Sequence, residues 1–456
     1  MSLDSTTLYE EKSFWLRQFG PYRPNPPVLG ERRVDVAVVG GGFTGLSAAR
    51  ELARDHPGAS VALLEGEAVG YGASGRNAGF SMKLFGLEPE LTRLRWGDER
   101  TRQAQRFMSD AVAYVKGLIE EHQLASDYQH TGMFRVSYTP RQQARLEKTS
   151  ALLERLGVAE DMRLVGREEL GDQFASERFL GGLWEREVGI LDPAKHVRAL
   201  KRLAEEAGVN VYERSPVRRV SRRPGGVLLE TYAGRVVADK VVFATNAWSR
   251  CIGGLPALRS RQVPVWTYVV VTEVLAEEDW TRIGWAGRQS FEDNRQLVHY
   301  FRPTADGRLL MGGGTVRIPA GDSFDHDFAP KLWRHCEDHL KWLFPQLERV
   351  RIAYRWGGPV SCPVELTPLA GFLGDERLAY ALGYVGHGVS ISQYMGRLLA
   401  DLIGGRDSEL ARFWIVDRRA LPWPPRPIAW PLLQAIHLGL RAWDRFEERG
   451  LRRSPR

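Results

Sequence analysis

The chain of 456 residues is long enough for two or three domains with full cores, and its 43% apolar and 26% charged residues exclude both wholesale disorder and a bundle of membrane helices. Lysine and arginine exceed aspartate and glutamate by seven, but residues 410–456 hold ten arginines against four carboxylates, so the body is nearly neutral and offers no broad nucleic-acid surface. Three scattered cysteines, Cys251, Cys336 and Cys362, exclude a disulfide framework and a CxxC metal site, and with no basic and apolar leader they point to a soluble cytoplasmic protein without a metal.

In chain order, residues 1–33, with Pro21, Pro24, Pro26 and Pro27, read as an extended lead-in lying on the surface. A buried strand at 34–39, helical spacing at 43–54 and a second β run at 60–64 form a βαβ unit, and hence a parallel sheet. Polar-faced helices are predicted at 92–125 and 141–156, and alternating strands at 132–138, 182–187, 262–274 and 297–301. The α/β rhythm returns at 196–207, 209–212 and 236–243, and a strand at 378–382 with a helix at 389–403 completes it. The expected fold class is α/β. A discontinuous, Rossmann-like nucleotide-binding domain takes 34–91, 189–260 and 350–410. A second, α+β substrate domain on a mixed sheet takes 92–188 and 261–349, and a Pro-rich basic tail with an amphipathic helix fills 411–456.

Gly40-x-Gly42-x-x-Gly45, with Thr44 inside it, follows a strand and opens a helix, where three glycines allow a tight turn, approach of a pyrophosphate and close helix–sheet packing. Glu65 ends the second strand twenty residues after Gly45, where a carboxylate accepts ribose hydroxyls and repels a 2′-phosphate; NADP is disfavoured. The segment from Gly70 to Gly79 places Gly72, Ala73, Ser74, Arg76 and Asn77 directly after that strand. A surface loop is the alternative, but the glycines, hydroxyl and guanidinium suit the pyrophosphate or flavin end of FAD, which a simple NAD domain does not need.

These motifs, together with Ala244-Thr-Asn-Ala-Trp248, Trp356-Gly-Gly358 and Gly383-Tyr-Val-Gly-His-Gly388, resemble the D-amino-acid-oxidase-like FAD oxidoreductases of the glycine oxidase and sarcosine oxidase type, the gamma-glutamylputrescine-oxidase-like members looking closest. The resemblance spans about residues 15 to 446. It implies that Val217 meets the adenine through its backbone, that Ala244, Thr245 and Asn246 lie over the pyrophosphate, and that Gly358 and the run from Gly383 through Gly386, His387 and Gly388 to Val389 lie against the flavin. The helix from Val389 then directs its positive end at the edge where charge gathers in reduced flavin. Relatives acting on amino acids place a lysine where this chain has Ser390, and residues 241–330 contain none, which departs from the oxygen-activating lysine of such oxidases.

Hydride transfer from an amine needs a neutral amine with its C–H aimed at the flavin, and no obligatory side-chain base. His387 is the candidate catalytic group beside the ring, with Tyr300 and Arg302 on one strand face as candidate substrate contacts. Lys83 reads as a solvated loop residue, and Cys362, followed by Thr-Pro as in sarcosine oxidase, is the candidate covalent link; non-covalent FAD is expected. The expected function is oxidation of the C–N bond of an amine or amino-acid derivative, with oxygen or another electron acceptor. Alternatives are a membrane-surface amino-acid or hydroxy-acid dehydrogenase feeding a quinone and, remotely, a flavin-dependent RNA-modifying enzyme. In the tail, Leu433, Ile436, Leu440 and Trp443 form a stripe expected to dock on the body rather than a membrane, because Asp444, Glu447 and Glu448 interrupt the basic face.

Overall fold

A computed structural model describes residues 9–451 except Leu87, Ala175, Ala286, Asp322 and Gly450. The β-branched run Gly30–Val39 forms the centre of the first sheet, flanked in parallel by Val61–Leu64 on one side and Gly234–Phe243 on the other. Asn210–Tyr212 and Leu378–Leu382 extend the parallel set outward, and the antiparallel strand Leu369–Phe372 closes the Leu378 edge. Buried on both faces, such strands are continuously apolar rather than alternating, as Val61–Leu64 and Leu378–Leu382 are. The helices Phe43–Asp55, Pro193–Glu206 and Gly388–Gly404 cover it; Gly396 lets the last approach Ser47 and the Thr44 carbonyl, where a Cβ would stand 2.6 Å from each.

The second sheet is mixed, in the order Ile352–Cys362, Val263–Thr272, Leu309–Gly313, His299–Pro303, Ser290–Asp293, Met133–Ser137, Gly181–Glu185, Met162–Gly166. Its core behind the sheet is aromatic: Phe174, Phe179, Trp285, Phe291, Phe301 and Phe344 pack ring to ring beside Leu340 and Leu347.

Three segments depart from the sequence reading. Ile352–Cys362, expected within the nucleotide-binding part, instead pairs along Val263–Thr272 in the second sheet. The long helix Pro89–Glu121, expected with the substrate part, turns Phe107, Met108, Val115 and Ile119 into the first core. The lead-in is no extended surface strap either: Ser13 caps a helix, Phe14–Phe19, that buries Phe14, Trp15 and Leu16. Buried Glu213 fastens the stretch after this helix to the first domain, accepting from the Tyr22 hydroxyl and from the Asn25 and Val69 backbone N–H groups.

The tail contains a 22-residue helix, Arg426–Glu447, that packs on the body through Ala429, Leu433, His437 and Asp444. This is not the expected stripe: Ile436 and Trp443 are exposed and Leu440 is half-buried. The acids decide the rotation. Asp444 accepts from the Gln296 and Leu297 N–H groups at 2.8 and 3.0 Å, Glu447 accepts from Arg145 at 2.5 Å, and Glu448 pairs with Arg295. Sequence spacing weighed apolar side chains alone, whereas charge-assisted bonds pull the acidic face inward.

Candidate active site

A cavity of about 720 Å³ runs between the two sheets, within the range of a cofactor site. One end is the turn after Val39. Gly40 has φ +112°, and a Cβ there would meet the Ala244 carbonyl at 2.6 Å; a Cβ on Gly45 would stand 1.9 Å from the Gly40 oxygen. These two glycines therefore permit backbone contact between turn, helix and the neighbouring strand end. A Cβ on Gly42 would first meet Ser74 Oγ at 2.8 Å, and that oxygen accepts from the Phe43 N–H. The N-terminus of Phe43–Asp55 thus faces the cavity between Gly42 and Thr44.

Glu65 closes this end, accepting from the Gly41 N–H at 2.6 Å and the Glu67 N–H at 3.0 Å. Half-buried where it touches the cavity, its carboxyl is pushed up to about 7 by desolvation, which the two N–H bonds oppose. Val217 lines the same region.

Gly72, Ala73, Ser74, Arg76 and Asn77 all line the cavity, but their polar side chains largely hold their own loop. Asn77 donates to the Ala73 and Ser74 carbonyls and accepts from the Gly79 N–H. Arg76 donates to the Tyr71 and Gly357 carbonyls, pairs with Asp327 at 2.9 Å and lies over the Tyr71 ring. Its guanidinium is a clamp between loop and second sheet, and the residue still lines the cavity. Its stem lies against Gly358, where a Cβ would be 3.1 Å away.

Ala244, Thr245 and Asn246 form the roof, and Asn246, in the left-handed region at φ +42°, accepts from the Gly383 N–H. Gly386, His387, Gly388 and Val389 line the opposite wall, where the 17-residue helix Gly388–Gly404 starts without a side-chain cap, so its first N–H groups face the cavity. Tyr384, bonded to Thr44 at 2.8 Å, ties the two helix starts together. Gly45 and Gly383 support this lining from behind; neither is part of it.

Facing His387 from the second sheet are Tyr300 and a residue that sequence reasoning missed, Glu292. Glu292 and Tyr300 are cross-strand partners, and His387 Nε2 lies 3.7 Å from Glu292 Oε1. The Tyr300 ring packs on Gly312 and against Phe80, and burial pushes its phenol well up, keeping it protonated. Among the described residues, His387 Nδ1 and Glu292 Oε2 are buried without a hydrogen-bond partner, Oε2 lying 3.8 Å from Arg135 Nε while Oε1 faces His387. The nearest cation to Glu292, Arg135 at 3.8 Å, is shared with Glu88 and Glu185. A buried acid on a strand face was the available signal, hidden because its cation comes from a distant strand.

Arg302 lies outside the cavity. It donates to the Leu191 carbonyl and stacks over Trp15, and burial lowers its guanidinium to about 10 although Asp192 opposes this. Lys83 is also not the solvated residue expected: it is buried and paired with Asp161 at 2.6 Å. Ser390 is buried on Ser81. Cys362 does line the cavity, and burial pushes its thiol up to about 12.

Residues 35–402 match the model of the FAD dependent oxidoreductase (DAO) family. The chain belongs to this family. It is 33% identical to gamma-glutamylputrescine oxidoreductase of Escherichia coli K12 over 398 residues, covering 86% of this chain and 89% of that one. Glycine oxidase of Bacillus licheniformis is 25% identical over 386 residues, with 82% and 94% covered. In fold it is similar to glycine oxidase from Geobacillus kaustophilus, with TM-score 0.72, 22% identity and 85% and 99% of the two chains covered. This FAD-dependent oxidoreductase offers a cavity whose lining suits its cofactor: a glycine-lined turn, two helix starts and a carboxylate.

Proposed function

We propose that the enzyme oxidises the C–N bond of an amine or amino-acid derivative. The turn at Gly40, Gly42 and Thr44 with Glu65 and Val217 would hold the adenosine and pyrophosphate, and Gly386 to Val389 the flavin; bound FAD supplies the acceptor for a hydride from the carbon beside nitrogen. The observation that carries the substrate class is Glu292, a buried carboxylate on the cavity wall facing His387 whose one arginine neighbour, Arg135, is shared with two other acids, while Arg76 at the cavity is already paired with Asp327. A carboxylate there suits an ammonium and repels an acid. Glu292 holds the substrate nitrogen, and His387 Nε2 takes the proton the ammonium sheds before a C=N bond can form. Tyr300 donates its hydroxyl hydrogen to a polar atom of the substrate. The apolar wall of Phe80, Val265 and Val269 excludes water around them. The imine that leaves hydrolyses to a carbonyl compound and an amine or ammonia. The name of the gamma-glutamylputrescine oxidoreductase relative is in keeping with such a donor.

The test is anaerobic mixing of the yellow protein with amines, amino acids and hydroxy acids while flavin absorbance is followed. Rapid bleaching by amines, weakened in apparent affinity at least about tenfold by Glu292→Gln with flavin content unchanged, is expected from one lost charge-assisted contact. Bleaching by hydroxy acids alone, or an unaffected affinity in the variant, refutes the reading.

A further inference from the structure

The Arg426–Glu447 helix has two faces, and only one is used by the protein. Its inward face carries Leu433, His437 and all its acids: the Glu447 side chain is 1% exposed and that of Asp444 is buried on the Gln296–Leu297 backbone. Further anchors are Trp430 and Gln434, both donating to the Ile318 carbonyl. The outward face is apolar along its whole length. Ile428, Leu432, Ile436, Leu438, Trp443 and Phe446 are between 47% and 61% exposed, and only Pro431, Ala435, Gly439 and Ala442 fill the spaces between them. Six of the fifteen large hydrophobic side chains exposed among the described residues therefore lie on this one helix. Scattered exposed apolar residues need no explanation, but a continuous ridge does.

What borders the ridge selects its partner. Arg441, Arg445 and Arg449 follow one edge with no carboxylate paired to them among the described residues, and Arg141 of a neighbouring helix lies over the Phe446 ring at 4.7 Å. The acids that would offset these charges are on the other side of the helix, held by the body. An apolar ridge with a tryptophan, which donates to the inward Glu447, and with a cationic edge is the pattern of a helix lying in the surface of an anionic bilayer. A second copy of this chain would present the same arginines back to these, like charge against like. No helix among the described residues is long and apolar enough to cross a membrane.

We infer that the Arg426–Glu447 helix is a peripheral membrane anchor, fixed to the enzyme by its acidic face and entering anionic lipid by the Ile428–Phe446 ridge. The same helix braces residues 296–297, which line the cavity, so the anchor sets the active-site wall at a fixed attitude to the bilayer.

The test is sedimentation of the flavin-loaded, full-length enzyme with vesicles of phosphatidylcholine alone or mixed with phosphatidylglycerol. Binding to the mixed vesicles only, reversed by salt, is expected. Each arginine near such a surface is worth about fivefold in partitioning, so Arg445→Gln with Arg449→Gln should weaken binding roughly 25-fold. Leu432→Ser with Ile436→Ser should abolish it, and because both positions are exposed the flavin content and thermal midpoint should stay as they were. Failure to sediment with mixed vesicles overturns the inference. So does a dimer in lipid-free buffer that Leu432→Ser with Ile436→Ser dissociates, because that assigns the ridge to a second copy.

Discussion

Gly45 and Gly42 belong to one motif, yet the structure separates what a methyl group does at each. At Gly45 the added Cβ stands 1.9 Å from the carbonyl oxygen of Gly40 and 3.1 Å from its carbon. That oxygen has nowhere to go: the Gly40 N–H is bonded to Leu64 at 2.9 Å, and its φ of +112° already places the residue under Ala244. Relief needs the helix to retreat by more than about 1 Å, most of one residue's rise. At Gly42 the first atom met is Ser74 Oγ at 2.8 Å, a hydroxyl that rotates away for the loss of one hydrogen bond from Phe43. Overpacking costs about 1–3 kcal/mol, so Gly45→Ala belongs at the top of that range and Gly42→Ala near the bottom. Both contacts are within the protein itself, so the cost falls on folding: stability should drop by about 3 kcal/mol in the first and about 1 kcal/mol in the second. Denaturant unfolding of the two apoproteins measures both. Equal stabilities in the two variants, or a Gly45→Ala protein as stable as the parent, would refute the reasoning.

His387→Ala should leave flavin content intact and slow anaerobic flavin reduction at least about tenfold, since it removes the imidazole beside Glu292 on the cavity wall; an unchanged rate would return His387 to a turn residue. Acid precipitation should release all flavin into the supernatant, because a thiol held up to about 12 supplies almost no thiolate for bond formation; a yellow pellet would show that Cys362 is linked. Glu65, held up to about 7 against an ordinary value of 4.5, gives the folded apoprotein an extra proton between those limits, so its contribution to stability falls as pH rises through that window. Thermal midpoints of apoprotein and Glu65→Gln should therefore diverge from pH 4.5 to 7 in the variant's favour, and parallel curves would remove Glu65 as the cause.

Local pattern carried the first sheet far. The apolar strands, the glycines of the turn after Val39, Glu65 at the end of the next strand and the helix after Gly388 all depend on contacts close in sequence, so period and spacing were enough to place them. Length and composition likewise bounded the domain count, and the arginine-rich tail could be read off directly. Other features were decided only when distant segments met. Arg302 and Tyr300 share a strand face, as alternation requires, but Leu191 and Trp15 come from elsewhere to take the arginine while Gly312 leaves the tyrosine at the cavity. Lys83 finds Asp161 and Arg76 finds Asp327, pairs that no local rule connects. Glu292 became a site residue because the helix start at Gly388 was brought against its strand. The tail shows the same division: periodicity located the helix, but its rotation was set by Arg145, Arg295 and two backbone N–H groups on the body, which drew in the acids and turned the apolar ridge outward. Periodicity measures which residues lie on one side of a helix, and only the partners across space determine which side is inside.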